Sequence, residues 1–353
     1  MHFITRLASD PTLCSYPLPL NGSLRWHRVG VSNAGGASIW RTNLCVKNIP
    51  EGHILVPSYV CTEKGYQYQW QARTEAANQT SVLLPIGPAQ ADSWTGFVPA
   101  KDDAHALQSK IDCWHSRSNI EELDLQLTLY IPNSDTLPNR DLLTLCIRPV
   151  DQQTCRLPTS ASAVAVPRPA PVSQMQADNE IARRICSPTA TAMAVMGDQA
   201  MKHWSEAVEQ CYDPNTKAYG KWPLAVYWAS QHGVLGCVET LYRWDEALTV
   251  LQAGQPIVCS IRFANGQLPG SPQEQSGGHL VVLYGVEFDH KEGFALVMDP
   301  AGATIDSVSR RYPLAAFTEA WLNHRGAAYL FSTKLTKHHG SDPVSAKAND
   351  HGH

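Results

Sequence analysis

Three side chains of this sequence could together do nucleophilic acyl chemistry: Cys186, His279 and Asp299. A thiolate is a strong nucleophile, an imidazole can move a proton between nucleophile and leaving group, and a carboxylate can hold that imidazole in one tautomer. Cys186 stands in Arg184-Ile185-Cys186-Ser187-Pro188-Thr189-Ala190-Thr191-Ala192-Met193, where loop residues give way to helix formers. Proline, serine and threonine suit a first helical turn, alanine and methionine propagate it, and Gly197 can end it. A cysteine at the head of such a helix meets the positive end of the dipole, which favours thiolate. A lone cysteine is more often a small buried side chain. The reading therefore needs a base and a group to orient it.

Gly277-Gly278-His279-Leu280-Val281-Val282-Leu283 puts a histidine at the mouth of a strand that is apolar on both faces, hence central in its sheet. The two glycines would let another backbone come close. The next strand ends Met298-Asp299-Pro300. In an antiparallel hairpin the start of one strand and the end of the next share an edge, so His279 and Asp299 should meet. Asp299 would accept from one ring nitrogen, leaving the other for Cys186. Taken singly, Asp-Pro opens a turn and a histidine at a strand end is structural. Taken together, the three occupy the places a Cys-His-Asp triad requires.

The elements around them alternate. Helices are expected at 186–197, 199–211, 222–231, 244–253 and 314–322, and extended segments at 234–241, 256–263, 279–288, 294–298 and 327–332. Helices first and antiparallel strands later make an α+β domain at 172–333. The Gly-bearing loop 264–277 leads into His279 and should edge the cleft as a mobile rim, with Trp222, Ser260 and Gly278 as lining residues.

Cys186-Ser187-Pro188-Thr189-Ala190, Gly278-His279-Leu280-Val281-Val282 and Met298-Asp299-Pro300-Ala301 resemble the papain-like cysteine peptidases of the bacterial bacteriocin-processing (double-glycine leader) type, in their free-standing branch without a transporter. The runs Gly220-Lys221-Trp222-Pro223 and Arg311-Tyr312-Pro313 through Trp321 look like that branch too. The resemblance covers roughly 172–332. It implies Cys186 as nucleophile, His279 as general base and Asp299 as its orienter. It also implies an upstream glutamine as oxyanion donor: Gln174, with Gln176 as the alternative, acting with the backbone N–H of Cys186. Many relatives have glycine where this chain has Ser187. The family's export function is not implied, since no ATP-binding or membrane segment accompanies the peptidase.

The first half reads differently. Residues 1–23 look like an irregular lead-in. From 24 to 150 the pattern has period two: Tyr66, Tyr68, Trp70 and Ala72 alternate with glutamines, and Leu123, Leu125, Leu127, Leu129 and Ile131 with polar residues. Shorter strands are expected at 23–31, 38–46, 53–61, 109–114 and 142–148, and a helical turn only near 101–110. This predicts an N-terminal antiparallel β-sandwich over 1–150 without a catalytic constellation. It could bind a protein or a glycan, although its tryptophans fit a core better. A linker rich in Pro, Ala and Ser follows at 151–171. A disordered, solvated tail is expected at 334–353.

A formal charge of −4 without a basic run argues against a nucleic-acid partner, and no apolar stretch reaches membrane length. No secretory leader begins the chain, which favours the cytoplasm unless a leader was removed. None of the ten cysteines forms a Cys-x-x-Cys pair, so reduced thiols are expected, with Cys211 and Cys237 the first pair to examine for a bridge. No metal or cofactor is expected, and the partner is a peptide or protein substrate. Two other readings share these residues: a transglutaminase-like acyl transferase, and a binding or adaptor protein with a vestigial triad.

Overall fold

The computed structural model describes residues 2–31, 36–74, 77–83, 106–110, 112–132, 134–150, 154–214, 216–290 and 292–332. The fold is mixed α and β. Period-two sequence becomes two sheets in the first half. One has the order β2 (Gly22–Ser23), β1 (Phe3–Ala8), β11 (Asp141–Pro149), β5 (His53–Cys61), β9 (Trp114–Ser116), β8 (Leu107–Ser109). The other runs β3 (His27–Val31), β4 (Ser38–Ile49), β10 (Ile120–Ile131), β6 (Gln67–Thr74), β7 (Ala77–Leu83). All pairs are antiparallel except β1 with β2. Leu125, Leu127 and Leu129 of β10 lie opposite Ala72, Trp70 and Tyr68 of β6, and all six are buried. That shared register makes one apolar face.

Two expectations for this half are corrected. The lead-in is not irregular, because Phe3–Ala8 pairs along β11. Its alternation is hidden by Arg6, a charged residue that points inward. The helical turn near 101–110 falls partly outside the described residues, and the described part, Leu107–Ser109, is a strand.

The second half contains one seven-stranded sheet. Its path is β13 (Gly236–Thr240), β18 (Ala327–Phe331), β14 (Ile257–Phe263), β15 (Ser276–Asp289), β16 (Glu292–Met298), β17 (Ser309–Pro313). The seventh strand, β12 (Val164–Ala165), comes from the expected linker and pairs with Gly285 and Val286 of β15. The Pro-rich segment is therefore partly sheet. Gly285 permits it, since a Cβ there would stand 2.8 Å from Ala165 Cβ. Helices α1 (Cys186–Met196), α2 (Ala200–Gln210), α3 (Trp222–Gln231), α4 (Trp244–Gln252) and α5 (Leu314–Ala320) belong to the same half. Strand β17 was not expected; five residues are too few to show a period. No helix among the described residues is long and apolar enough to cross a membrane.

The two halves meet at β13, which packs against β5 and β11. Arg6 Nε and Nη2 reach Glu239 Oε1 and Oε2 at 2.8 and 2.7 Å, and the Tyr16 hydroxyl donates to Oε1 at 2.7 Å. The amide of Val238 donates to Ser58 Oγ at 3.1 Å. Buried polar groups on both sides are thus paired across the contact.

Candidate active site

Helix α1 is apolar on every side and almost wholly buried, which fits its position against β15, α2 and α3. Pro188 lies in its first turn, where a missing N–H costs nothing. Thr189 and Thr191 return their hydroxyls to the carbonyls of Ile185 and Ser187 at 2.7 and 2.8 Å. The indole of Trp204 on α2 donates to Thr189 Oγ1 at 2.8 Å, so the first turn is fixed from outside as well. Ser187 shares a 2.9 Å hydrogen bond with the Tyr329 hydroxyl. Gly197 ends the helix at φ +56°. Cys186 is the first residue of this rigid rod and keeps part of its surface exposed.

His279 lies on β15, three residues after its start, with β14 on one side and β16 on the other. A bulge between Leu283 and Gly285 adjusts the β15–β16 register, and Asp299 follows directly on β16. His279 Nε2 and Asp299 Oδ1 are 2.7 Å apart, both residues being buried. The Cys186 thiol and the His279 side chain lie close enough to shift one another's ionisation. Since Nε2 belongs to Asp299, Nδ1 is the nitrogen left for the thiol. Asp299 is itself held: Ala301 N–H donates to Oδ1 at 2.9 Å, and the Tyr312 hydroxyl donates to Oδ2 at 2.6 Å.

Electrostatics follow from this row. Burial alone would raise the Cys186 thiol, but the hydrogen bond and charge of His279, with the N–H of Leu280, outweigh it and hold the thiol below its ordinary value. Burial alone would lower His279; the Asp299 carboxylate, followed by the thiol, raises it to about 10. Asp299 stays below the usual carboxylate range because His279, Tyr312 and Ala301 together overcome its burial. All ten cysteines are free, including Cys211 and Cys237, so that pair forms no bridge. Each of the other nine thiols is pushed up, burial being the first cause in every case. Cys186 alone among the ten thiols is held below its ordinary value.

The two glutamines separate clearly. Gln176 is exposed, whereas Gln174 is buried. The backbone N–H of Gln174 donates to the Pro300 carbonyl at 2.9 Å, beside Asp299. Its side-chain Nε2 donates to the Ala182 carbonyl at 2.6 Å, in the turn that leads to Cys186. One N–H of the amide remains to donate, while Oε1 is buried without a hydrogen-bond partner. Two 3₁₀ turns, Gln174–Gln176 and Ala182–Arg184, take up the chain between the glutamine and the cysteine.

The expected lining residues divide. Trp222 opens α3 and is partly exposed; Lys221 before it forms a buried ion pair with Asp213, and Arg184 donates to the Lys217 carbonyl. The 213–222 segment is thereby tied to the turn before Cys186. Gly278 is exposed beside His279, and a Cβ there or at Gly277 would meet nothing within 4 Å. These glycines thus make no close approach to the chain's own backbone; they leave open space at the histidine. Ser260 pairs with Leu280, whereas Ile261 pairs with His279. Successive strand residues point to opposite faces, so Ser260 leaves the sheet on the side away from His279 and Cys186. Loop 264–277 borders a cleft of about 680 Å³ lined by Arg262, Gln267, Ser276, Gly277, Glu319 and His324.

Tyr312 is the residue that sequence reasoning did not assign a role. Its strand is short and its partner lies across β16 in the sheet, so no local signal marks it. Replacing Tyr312 with phenylalanine removes, among the described residues, the only side-chain donor to Oδ2 of a buried carboxylate. The expected cost is about 1.5–3 kcal/mol of stability, read by urea denaturation. A loss under about 0.5 kcal/mol would show that Asp299 does not depend on this hydroxyl.

Residues 169–329 match the family model described as Peptidase_C39 like family. The match covers somewhat under half of the chain and contains Cys186, His279, Asp299, Gln174 and Tyr312. It supports a cysteine peptidase of the C39 type in the second half. No curated protein matches the chain.

Proposed function

We propose that the chain is a thiol peptidase of papain-like arrangement. Its second half, 172–333, carries the chemistry, and an N-terminal β-sandwich, 1–150, is joined to it through 151–171. The observation that carries this reading is the row Cys186–His279–Asp299–Tyr312, hydrogen-bonded from His279 to Tyr312, with the thiol beside His279 the one of ten held below its ordinary value. Cys186 Sγ attacks the carbonyl carbon of a peptide bond, and the oxyanion so formed takes hydrogen bonds from the Gln174 amide and the Cys186 backbone N–H. His279, protonated, gives its Nδ1 proton to the leaving amine as the C–N bond breaks. A thioester remains. Water then attacks it, His279 takes the water proton, and a carboxylic acid leaves as the thiol is restored. Asp299 keeps the ring turned toward Cys186 throughout. The substrate is a peptide or protein, entering over the open space at Gly278 and past Trp222.

Iodoacetamide labelling followed by peptide mapping tests the nucleophile. Cys186 is expected to react faster than the other nine thiols at neutral pH. The reactive thiolate exists above the lowered thiol pKa and is paired with imidazolium until His279 deprotonates near pH 10. Substituting alanine for His279 removes the two largest influences that lower the thiol and leaves burial opposed by the Leu280 N–H, so the labelling profile should move to higher pH. Equal labelling of all thiols, or a profile indifferent to that substitution, overturns the assignment. Sequencing the products of a peptide library distinguishes hydrolysis from transfer to an amine.

A further inference from the structure

A second cluster of chemistry-bearing side chains lies apart from Cys186. His203 and Glu206 stand one helical turn apart on α2, and His232 caps the end of α3. The Glu206 carboxylate sits between the two rings: Oε2 is 3.4 Å from His203 Nδ1, and Oε1 is 3.4 Å from His232 Nε2. The rings are 5.2 Å apart at 75°. One ligand atom from each residue lies within 4.8 Å of the other two. All three side chains are partly exposed, with His203 and Glu206 facing solvent and the His232 Nε2 atom itself buried.

The separations decide between two readings. A charge-assisted N–H···O bond would close to about 2.7–2.9 Å. Ligand atoms bound at about 2.0–2.1 Å around a tetrahedral ion stand about 3.3–3.4 Å apart. The 3.4 Å spacings, one to each carboxylate oxygen, are close to that tetrahedral edge and long for hydrogen bonds. Gln210 Nε2 also donates to Glu206 Oε1 at 3.2 Å, an outer contact that orients the carboxylate. The other cluster of possible ligands, Cys45, Glu122 and Asp124, is largely exposed, and Glu122 is paired with Lys47 at 3.1 Å.

We propose that His203, Glu206 and His232 form a divalent transition-metal site. Two imidazoles and a carboxylate suit Zn²⁺, with water in the fourth position. The ion links α2 to the end of α3, the two helices that pack against α1. The site thereby braces the rod that carries Cys186, and Trp204, next to His203, already bonds to the first turn of that rod.

The test is Co²⁺ titration of the full chain carrying Cys186→Ser, which removes the thiol that could also hold metal. The expected result is one equivalent bound at micromolar Co²⁺, with tetrahedral ligand-field bands, no thiolate charge-transfer band, and release of Co²⁺ on adding Zn²⁺. Zn²⁺ should also raise the melting temperature of this protein. His203→Ala and His232→Ala should each weaken that equivalent about 10-fold or more, with unchanged far-ultraviolet circular dichroism. Glu206→Gln, which keeps the shape, should weaken it as well. Substituting His338 and His339, or Cys45, should leave it unchanged. Absence of a bound equivalent, or one that survives both histidine substitutions, overturns the site.

Discussion

Replacing Cys186 with alanine is expected to lower peptide turnover by about 10⁴-fold or more, because no other group can form the thioester. The fold should survive. Cys186 is partly exposed, and α1 is anchored by Thr189, Thr191 and Trp204 rather than by the thiol. The measurement is single-turnover cleavage of the best library peptide, beside thermal denaturation of both proteins. Alanine at His279 should cost a comparable amount. The two losses should not add, since base and nucleophile act as one unit. A Cys186→Ala protein retaining a tenth of the parent rate would end the reading of this residue as nucleophile.

The largest stability effect is expected far from that thiol. Glu239→Ala would leave the Arg6 guanidinium buried without its carboxylate and would take the carboxylate acceptor from the Tyr16 hydroxyl, leaving it Cys237 Sγ. Removing one partner of a buried ion pair costs about 3–5 kcal/mol. Because Arg6 and Tyr16 belong to the first half and Glu239 to β13, the loss should loosen the contact between the halves. The double substitution Arg6→Met with Glu239→Leu removes both charges and should recover most of the loss. Urea denaturation of parent, single and double variants reads both effects. A single variant within about 1 kcal/mol of the parent would show that the pair is not a principal tie.

Local signals carried much of the second half. Helix α3 occupies the expected 222–231, and the other helices differ from expectation by one or two residues at their ends. Pro223, the acidic first turn of α4 and Gly197 are start and stop signals within a few residues of what they control. The first sheet's β1 was missed for a matching reason. Arg6 breaks the alternation, and only Glu239, far along the chain, explains why a cation points inward there.

By itself, the sequence determined the neighbourhood of the site. A helix-opening run set Cys186 at the head of α1, and a single hairpin brought His279 and Asp299 to one edge, because both depend on spacing over short stretches. Tertiary structure decided the rest. It buried Gln174 and exposed Gln176, two residues that composition cannot tell apart. It turned Ser260 away, since facing depends on strand register, which only the pairing with β15 sets. It brought Tyr312 to Asp299 across β16, and His232 to Glu206 from the end of another helix. Such meetings join residues far apart in the chain, and only packing assigns their partners.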